Sequence, residues 1–118
     1  MKIRQQDHVA LVNVSGHLTS FEVRALRDSV ESLLHEKRHN ILLNLSELKY
    51  LDSSGIGELV RNYLAVVKKG GAMKVVGLAP KVEEILKVTQ LYQVFPEFPD
   101  EASALESFPE RSRNASAS

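Results

Sequence analysis

The 118-residue chain has no cysteine, no tryptophan and only 6% aromatic residues. Without cysteine there is no disulfide scaffold, no thiol nucleophile and no thiolate-ligated metal. An excess of charge of one sign is also missing. Fifteen lysines and arginines balance fifteen aspartates and glutamates, which argues against a domain devoted to neutralising nucleic-acid phosphates. No apolar run approaches the ~18 residues needed to cross a bilayer. The first residues, MKIRQQDHVALVNVSGHL, lack the apolar core of a signal peptide. These absences predict a cytoplasmic protein with no membrane insertion and no nucleic-acid partner, and there is no repeat at solenoid spacing.

What remains is ordinary globular composition, 43% hydrophobic and 25% charged, at a length that suits one domain with a real core. The character changes only at Pro109, where PERSRNASAS begins. That stretch has no large aliphatic side chain to anchor it. The expectation is one domain over residues 1–108 and a flexible tail over 109–118.

Before the tail, strand and helix patterns alternate. Residues 2–6 and 9–15 read as two strands, the second carrying Val9, Leu11, Val12 and Val14, with a polar turn at Gln5 to His8 that predicts a hairpin. Ser15 and Gly16 end the second strand. Thr19 and Glu22 then stand at capping-box spacing, with Leu18 and Val23 placed as a hydrophobic staple. Val23, Leu26, Val30, Leu33 and Leu34 follow at helical spacing, and Asn40 is the predicted left-handed stop.

Ile41 to Leu45 is short and nearly all apolar, as in a strand covered on both faces. A second helix runs from about Ser54 to Lys69, its apolar stripe formed by Ile56, Leu59, Val60, Tyr63, Leu64 and Val67. Gly70-Gly71 ends it. Met73, Val75 and Val76 make a strand, and Pro80 opens a helix with Glu83 and Glu84 in its first turn and Lys87 near its end. A short strand around Val94 and Phe95 follows, and Asp100 caps a last helix carrying Ala102, Leu105 and Phe108. The order ββαβαβαβα predicts a single α/β domain. Its mixed sheet of four to five strands, parallel in the centre, packs with about four helices.

The chemically informative segment is Asp52-Ser53-Ser54-Gly55-Ile56-Gly57, between a buried strand and an amphipathic helix. A phosphate-binding P-loop needs a lysine where Glu58 stands. The dinucleotide fingerprint needs a glycine where Val60 stands, and a nucleophile elbow lacks its upstream glycine. A literal HExxH match, His35-Glu36-Lys37-Arg38-His39, occupies the last turn of the first helix, where the dipole favours basic residues in any case. No third ligand is marked, so no metal site is assigned.

Ser53 and Ser54 read in two ways. They cap the helix and let the chain turn tightly off the strand, or they are hydroxyls at a surface corner beside amides with unsatisfied N–H groups. A phosphate there would carry roughly −1.5 to −2 charges. The helix dipole would favour it by about 0.3–1 kcal/mol, while Asp52 and Glu58 would oppose it. Such a modification would leave the fold intact and change what the surface binds.

Ile41-Leu42-Leu43-Asn44-Leu45 followed by Tyr50-Leu51-Asp52-Ser53-Ser54-Gly55-Ile56-Gly57 resembles the signature of STAS domains in bacterial anti-sigma factor antagonists. Gly70-Gly71, Ala79-Pro80 and Leu91 to Phe95 also stand where that family has equivalents. The resemblance covers residues 2 to about 108. It implies a STAS-like fold with no catalytic role and no cofactor, acting in partner switching. Unphosphorylated, the domain would bind an anti-sigma factor that is also a serine kinase and so free a sigma factor. The kinase would phosphorylate Ser53, directly after the aspartate, and a separate serine phosphatase would reverse it.

By the same resemblance Asp52, Ser53, Ser54 and Gly55 form the centre of the partner-binding surface, with Glu58 and Asn62 as exposed residues at its edge. Thr19 departs from the family, many members of which carry an aspartate at that position. The alternative within the family is a non-enzymatic subunit of a stressosome-like or lipid-transport complex. A hydrolase with Ser53 or Ser54 as nucleophile lacks any placed histidine or lysine base.

Overall fold

The computed structural model describes residues 2–6, 8–19, 22–95 and 97–108; the expected tail lies outside them. Lys2–Gln6 (β1) and Val9–Leu18 (β2) pair antiparallel from Lys2↔Asn13 to Gln6↔Val9, the expected hairpin. Asn40–Leu51 (β3), Ala72–Val76 (β4) and Glu97–Phe98 (β5) complete a five-stranded sheet in the order β1-β2-β3-β4-β5, parallel from β2 onward. Among the described residues four α-helices accompany it: Val23–His35 (α1), Ser53–Lys68 (α2), Pro80–Val88 (α3) and Glu101–Glu106 (α4).

Strand side chains alternate between two faces, and both faces of the sheet centre are covered. Ala10, Val12, Ile41, Leu43, Met73 and Val75 share a core with Leu26 and Val30 of α1, Leu59 and Val66 of α2 and Val82 of α3. Crossovers of one hand that step steadily in one direction along a sheet put their helices on one face. On the opposite face Val9, Leu11, Leu42 and Val76 meet Ala104 and Phe108. This two-sided burial explains the unbroken apolar runs of β2 and β3.

Several boundaries differ from the sequence reading. β2 does not stop at Ser15-Gly16. Gly16 takes a left-handed φ of 78°, and pairing with β3 resumes beyond two register shifts to end at His17↔Tyr50 and Leu18↔Leu51. β3 is accordingly longer than its apolar run.

The Thr19–Glu22 pair forms, with the Thr19 hydroxyl donating to Glu22 Oε1 at 2.7 Å; α1 begins at Val23, whose N–H reaches Thr19 O at 3.0 Å, and the N-cap residue is Glu22 rather than Thr19. Its end is not at Asn40. Lys37 adopts the left-handed conformation (φ 65°). The N–H of Lys37 reaches Leu34 O at 3.0 Å and that of Arg38 reaches Leu33 O at 2.8 Å, a Schellman closure. Asn40 instead opens β3. The chain turns out of the helix before His39, so the HExxH residues do not share a helical face. Among the described residues no cluster suited to a metal occurs.

The strand expected at Val94-Phe95 is also displaced. Gln90 (φ 63°) ends α3 and leads into a 3-10 turn over Leu91–Gln93, and the N–H groups of Val94 and Phe95 both bond Leu91 O at 2.9 Å. Phe95 is thereby driven into the core, edge-on to Tyr63 at 5.4 Å between ring centroids. The last sheet pairing falls on Glu97 and Phe98. Asp100 caps α4 as expected, accepting from Ser103 N at 2.8 Å.

Candidate functional site

The site forms where β3 hands over to α2. Leu51 is buried at the strand end, and Asp52 keeps extended backbone (φ −105°, ψ −170°) as the N-cap residue. Its Oδ1 accepts from Gly55 N at 3.0 Å, so the cap is the aspartate and not either serine. Ser53 and Ser54 are the first two helical residues. Both are exposed, and among the described residues neither hydroxyl takes part in a hydrogen bond.

Gly55, expected at the centre of the partner-binding surface, is instead buried and fixes the position of this turn. A Cβ on it would run into the carbonyl oxygen of Leu18 and lie 3.1 Å from the Leu51 side chain. The first turn of α2 therefore rests directly on the backbone at the end of β2. Gly57, two residues on, has nothing within 4 Å of a built Cβ, and it keeps the surface beside Ser53 flat. The signature glycines thus have different tasks: one seats the helix and the other leaves its outer face bare.

Next to the turn stands an aromatic pair that the sequence reading did not single out. His17 at the end of β2 and Tyr50 near the end of β3 meet edge to face, ring centroids 6.0 Å apart, and Tyr50 is 48% exposed. Leu48 and Leu51, inward on either side of Tyr50, were the available signal.

Glu58 and Asn62 correct an expectation. They are not exposed edge residues: their exposures are 4% and 2%. Arg27 reaches across from α1 and donates to both Glu58 carboxylate oxygens, Nε to Oε2 at 3.1 Å and Nη2 to Oε1 at 2.9 Å. Asn62 Nδ2 donates to Glu58 O at 2.6 Å and to Oε2 at 2.9 Å. The inner face of α2 consequently runs through Gly55, Glu58, Leu59, Asn62 and Val66. Leu64 and Val67, assigned to the buried stripe from spacing, are 60% and 44% exposed.

A carboxylate buried this deeply resists ionisation. The hydrogen bonds from Arg27 and Asn62 and the positive charges of Arg27 and Arg61 outweigh that penalty and hold Glu58 below the usual carboxylate range. Glu58 therefore stays charged at neutral pH, joining α1 to α2 one turn below the serines.

Chemically, the corner presents hydroxyls without an activating base. No histidine, lysine or carboxylate hydrogen-bonds Ser53 or Ser54 among the described residues, and the Asp52 carboxylate is turned to the helix backbone. Such hydroxyls suit an acceptor presented to another protein's active site.

Comparison with known proteins agrees with this architecture. The profile described as STAS domain matches residues 1–104. An anti-sigma F factor antagonist of Paenibacillus polymyxa is 33% identical over 110 residues, covering 89% of this chain and 92% of that protein. The crystal structure of an anti-sigma factor antagonist from Mycobacterium paratuberculosis superposes with a TM-score of 0.80 at 25% identity, over 91% of each chain. The Bacillus cell fate determinant SpoIIAA in its phosphorylated form shares the fold, with a TM-score of 0.71 at 16% identity over 89% of this chain and 96% of that one.

Proposed function

This chain belongs to the STAS domain family, and from that premise we propose that it is an anti-sigma factor antagonist switched by phosphorylation of Ser53. Its partner is an anti-sigma factor that is also a serine kinase, and a separate serine phosphatase restores the binding form. The setting is the cytoplasm, the partner is a protein rather than nucleic acid or membrane, and the chain itself has no catalytic role.

The observation that carries this reading is the placement of Ser53. It is exposed, its hydroxyl is uncommitted, and it sits on a helix turn fixed by the Asp52 cap and by Gly55 against Leu18. A phosphate added there would be a charge outside the ion pairs of the described residues, which join Arg4 to Glu101 and Arg27 to Glu58. Its effect falls on whatever docks. A dianion forced into a desolvated contact without a cation costs about 2–5 kcal/mol, or roughly 30- to several-thousand-fold in affinity. That is enough to exchange partners.

The contact surface is centred on Asp52, Ser53, Ser54 and the bare backbone at Gly57, with Tyr50 and His17 as its aromatic margin, while buried Gly55 seats the turn from beneath. Glu58 and Asn62 support it from behind and do not touch the partner. The test is calorimetric titration of the source organism's anti-sigma factor kinase with the wild-type chain, Ser53→Ala and Ser53→Glu. Ser53→Ala should bind like wild type and stay unmodified with ATP, and Ser53→Glu should bind at least tenfold more weakly. Equal affinity of all three overturns the proposal.

A further inference from the structure

On the outer side of the helical layer, α1 and α2 leave an open groove. One stretch, about 510 Å³, is lined by Glu31 of α1 and by Val60, Arg61, Leu64, Ala65 and Lys68 of α2. It continues, through Glu31, Ala65 and Lys68, into a second stretch of about 390 Å³ that adds Leu34, His35 and Lys69. The floor is aliphatic, and its most prominent side chain, Leu64, is 60% exposed.

The two rims differ in sign. On the α2 side stand Arg61, Lys68 and Lys69, and neither lysine enters an ion pair among the described residues. On the α1 side stand the acidic Glu31 and, at the end beside Leu34, His35. The helix dipole accounts for lysines in the last turn of α2. It does not account for a leucine left in water on the groove's edge, where burial would be favourable.

We propose that this groove docks an amphipathic α-helix of a partner protein, one flank of which is acidic. A third helix laid between two neighbours of a helical layer fills its groove with apolar ridges, and Leu64 is placed to meet them. The charge asymmetry sets the orientation, with the acidic flank over α2 and the other flank over Glu31. Arg61 and Lys68 are two turns apart, about 10 Å along the axis, so acidic residues seven positions apart on the partner reach both. The groove begins at Gly57, one turn beyond Ser53, but the proposal does not depend on Ser53 being a switch.

The test uses two synthetic amphipathic helices with the same leucine face, one with glutamates along a flank and one with lysines there. Each is titrated into the ¹⁵N-labelled chain. The acidic peptide should shift the amides of Gly57, Leu64, Ala65 and Lys68 to saturation, and the basic peptide should not. Lys68→Glu should weaken the acidic peptide about tenfold, and so should Leu64→Ser, while both variants keep the wild-type amide spectrum elsewhere. The proposal is overturned by an absence of shifts, by equal response to both peptides, or by shifts centred elsewhere. Binding to phosphatidylglycerol vesicles in preference to the acidic peptide, or self-association through the same residues, also overturns it.

Discussion

Arg27 of α1 holds Glu58 of α2 with two parallel hydrogen bonds, at 3.1 and 2.9 Å, although the two residues are far apart in the chain. This clamp fixes the helix that carries Ser53 against its neighbour. Glu58→Gln keeps the shape and removes the charge, leaving the guanidinium without its anion. It should lower unfolding free energy by about 1–3 kcal/mol, read by urea denaturation at neutral pH.

The same carboxylate predicts a pH dependence. Its folded pKa is depressed, chiefly by the Arg27 and Asn62 hydrogen bonds acting against burial. Its stabilising effect is therefore complete above the unfolded value of about 4.3 and fades as the pH falls below it, through the lower folded value. The stability gap between wild type and Glu58→Gln should be constant above about pH 5 and narrow on acidification. A gap that does not change with pH would mean that the clamp does not depend on ionised Glu58.

Asp52 is the N-cap, and its removal should cost fold stability separately from any effect on binding. Asp52→Ala should destabilise by about 0.5–2 kcal/mol, and Asp52→Ser should recover most of the loss. Thermal melts of the two variants side by side check this.

The two glycines of the motif should respond in opposite directions. Gly55→Ala drives a methyl group into the Leu18 carbonyl and should cost about 1–3 kcal/mol. Gly57→Ala has open space in an exposed helix position and should gain about 0.5–1 kcal/mol. If Gly57→Ala is also impaired in partner binding, the bare backbone there is part of the contact.

Substitutions at Ser53 should leave the fold alone. The side chain is exposed and without hydrogen bonds among the described residues, so Ser53→Ala and Ser53→Glu should unfold within about 0.5 kcal/mol of wild type. Matching denaturation curves with divergent partner affinities separate a change of surface from a change of structure.

The parts of this architecture that are legible in the sequence are the ones written locally. Pro80 at a helix start, Gly70-Gly71 at a helix end and Asp100 as a cap carry their meaning within a few residues. So does the strand–turn–helix corner at Asp52. Features decided by distant partners are not legible. The helical stripe of α2 reads one way from hydrophobicity, but Arg27 turns Glu58 and Asn62 inward and leaves Leu64 and Val67 in water. β3 looks short because Ser46, Glu47 and Lys49 are polar, yet pairing with the bulged end of β2 continues it to Leu51. Lys37 and Gln90 adopt left-handed backbone, which neither residue type announces. Phe95 looks like a strand residue and is a core anchor on a 3-10 turn.

The strands lie side by side in the order in which they occur along the chain. Every strand thus pairs only with its neighbours in sequence. Each parallel pairing therefore closes over a single helical crossover, and the chain is synthesised from its N-terminus. β2, β3 and α2, which between them hold Leu18, Asp52 and Gly55, are complete before α3 and α4 have been made. The contacts that set the corner presenting Ser53, Asp52 with Gly55 and Gly55 against Leu18, are all drawn from these elements and none from the segments beyond them.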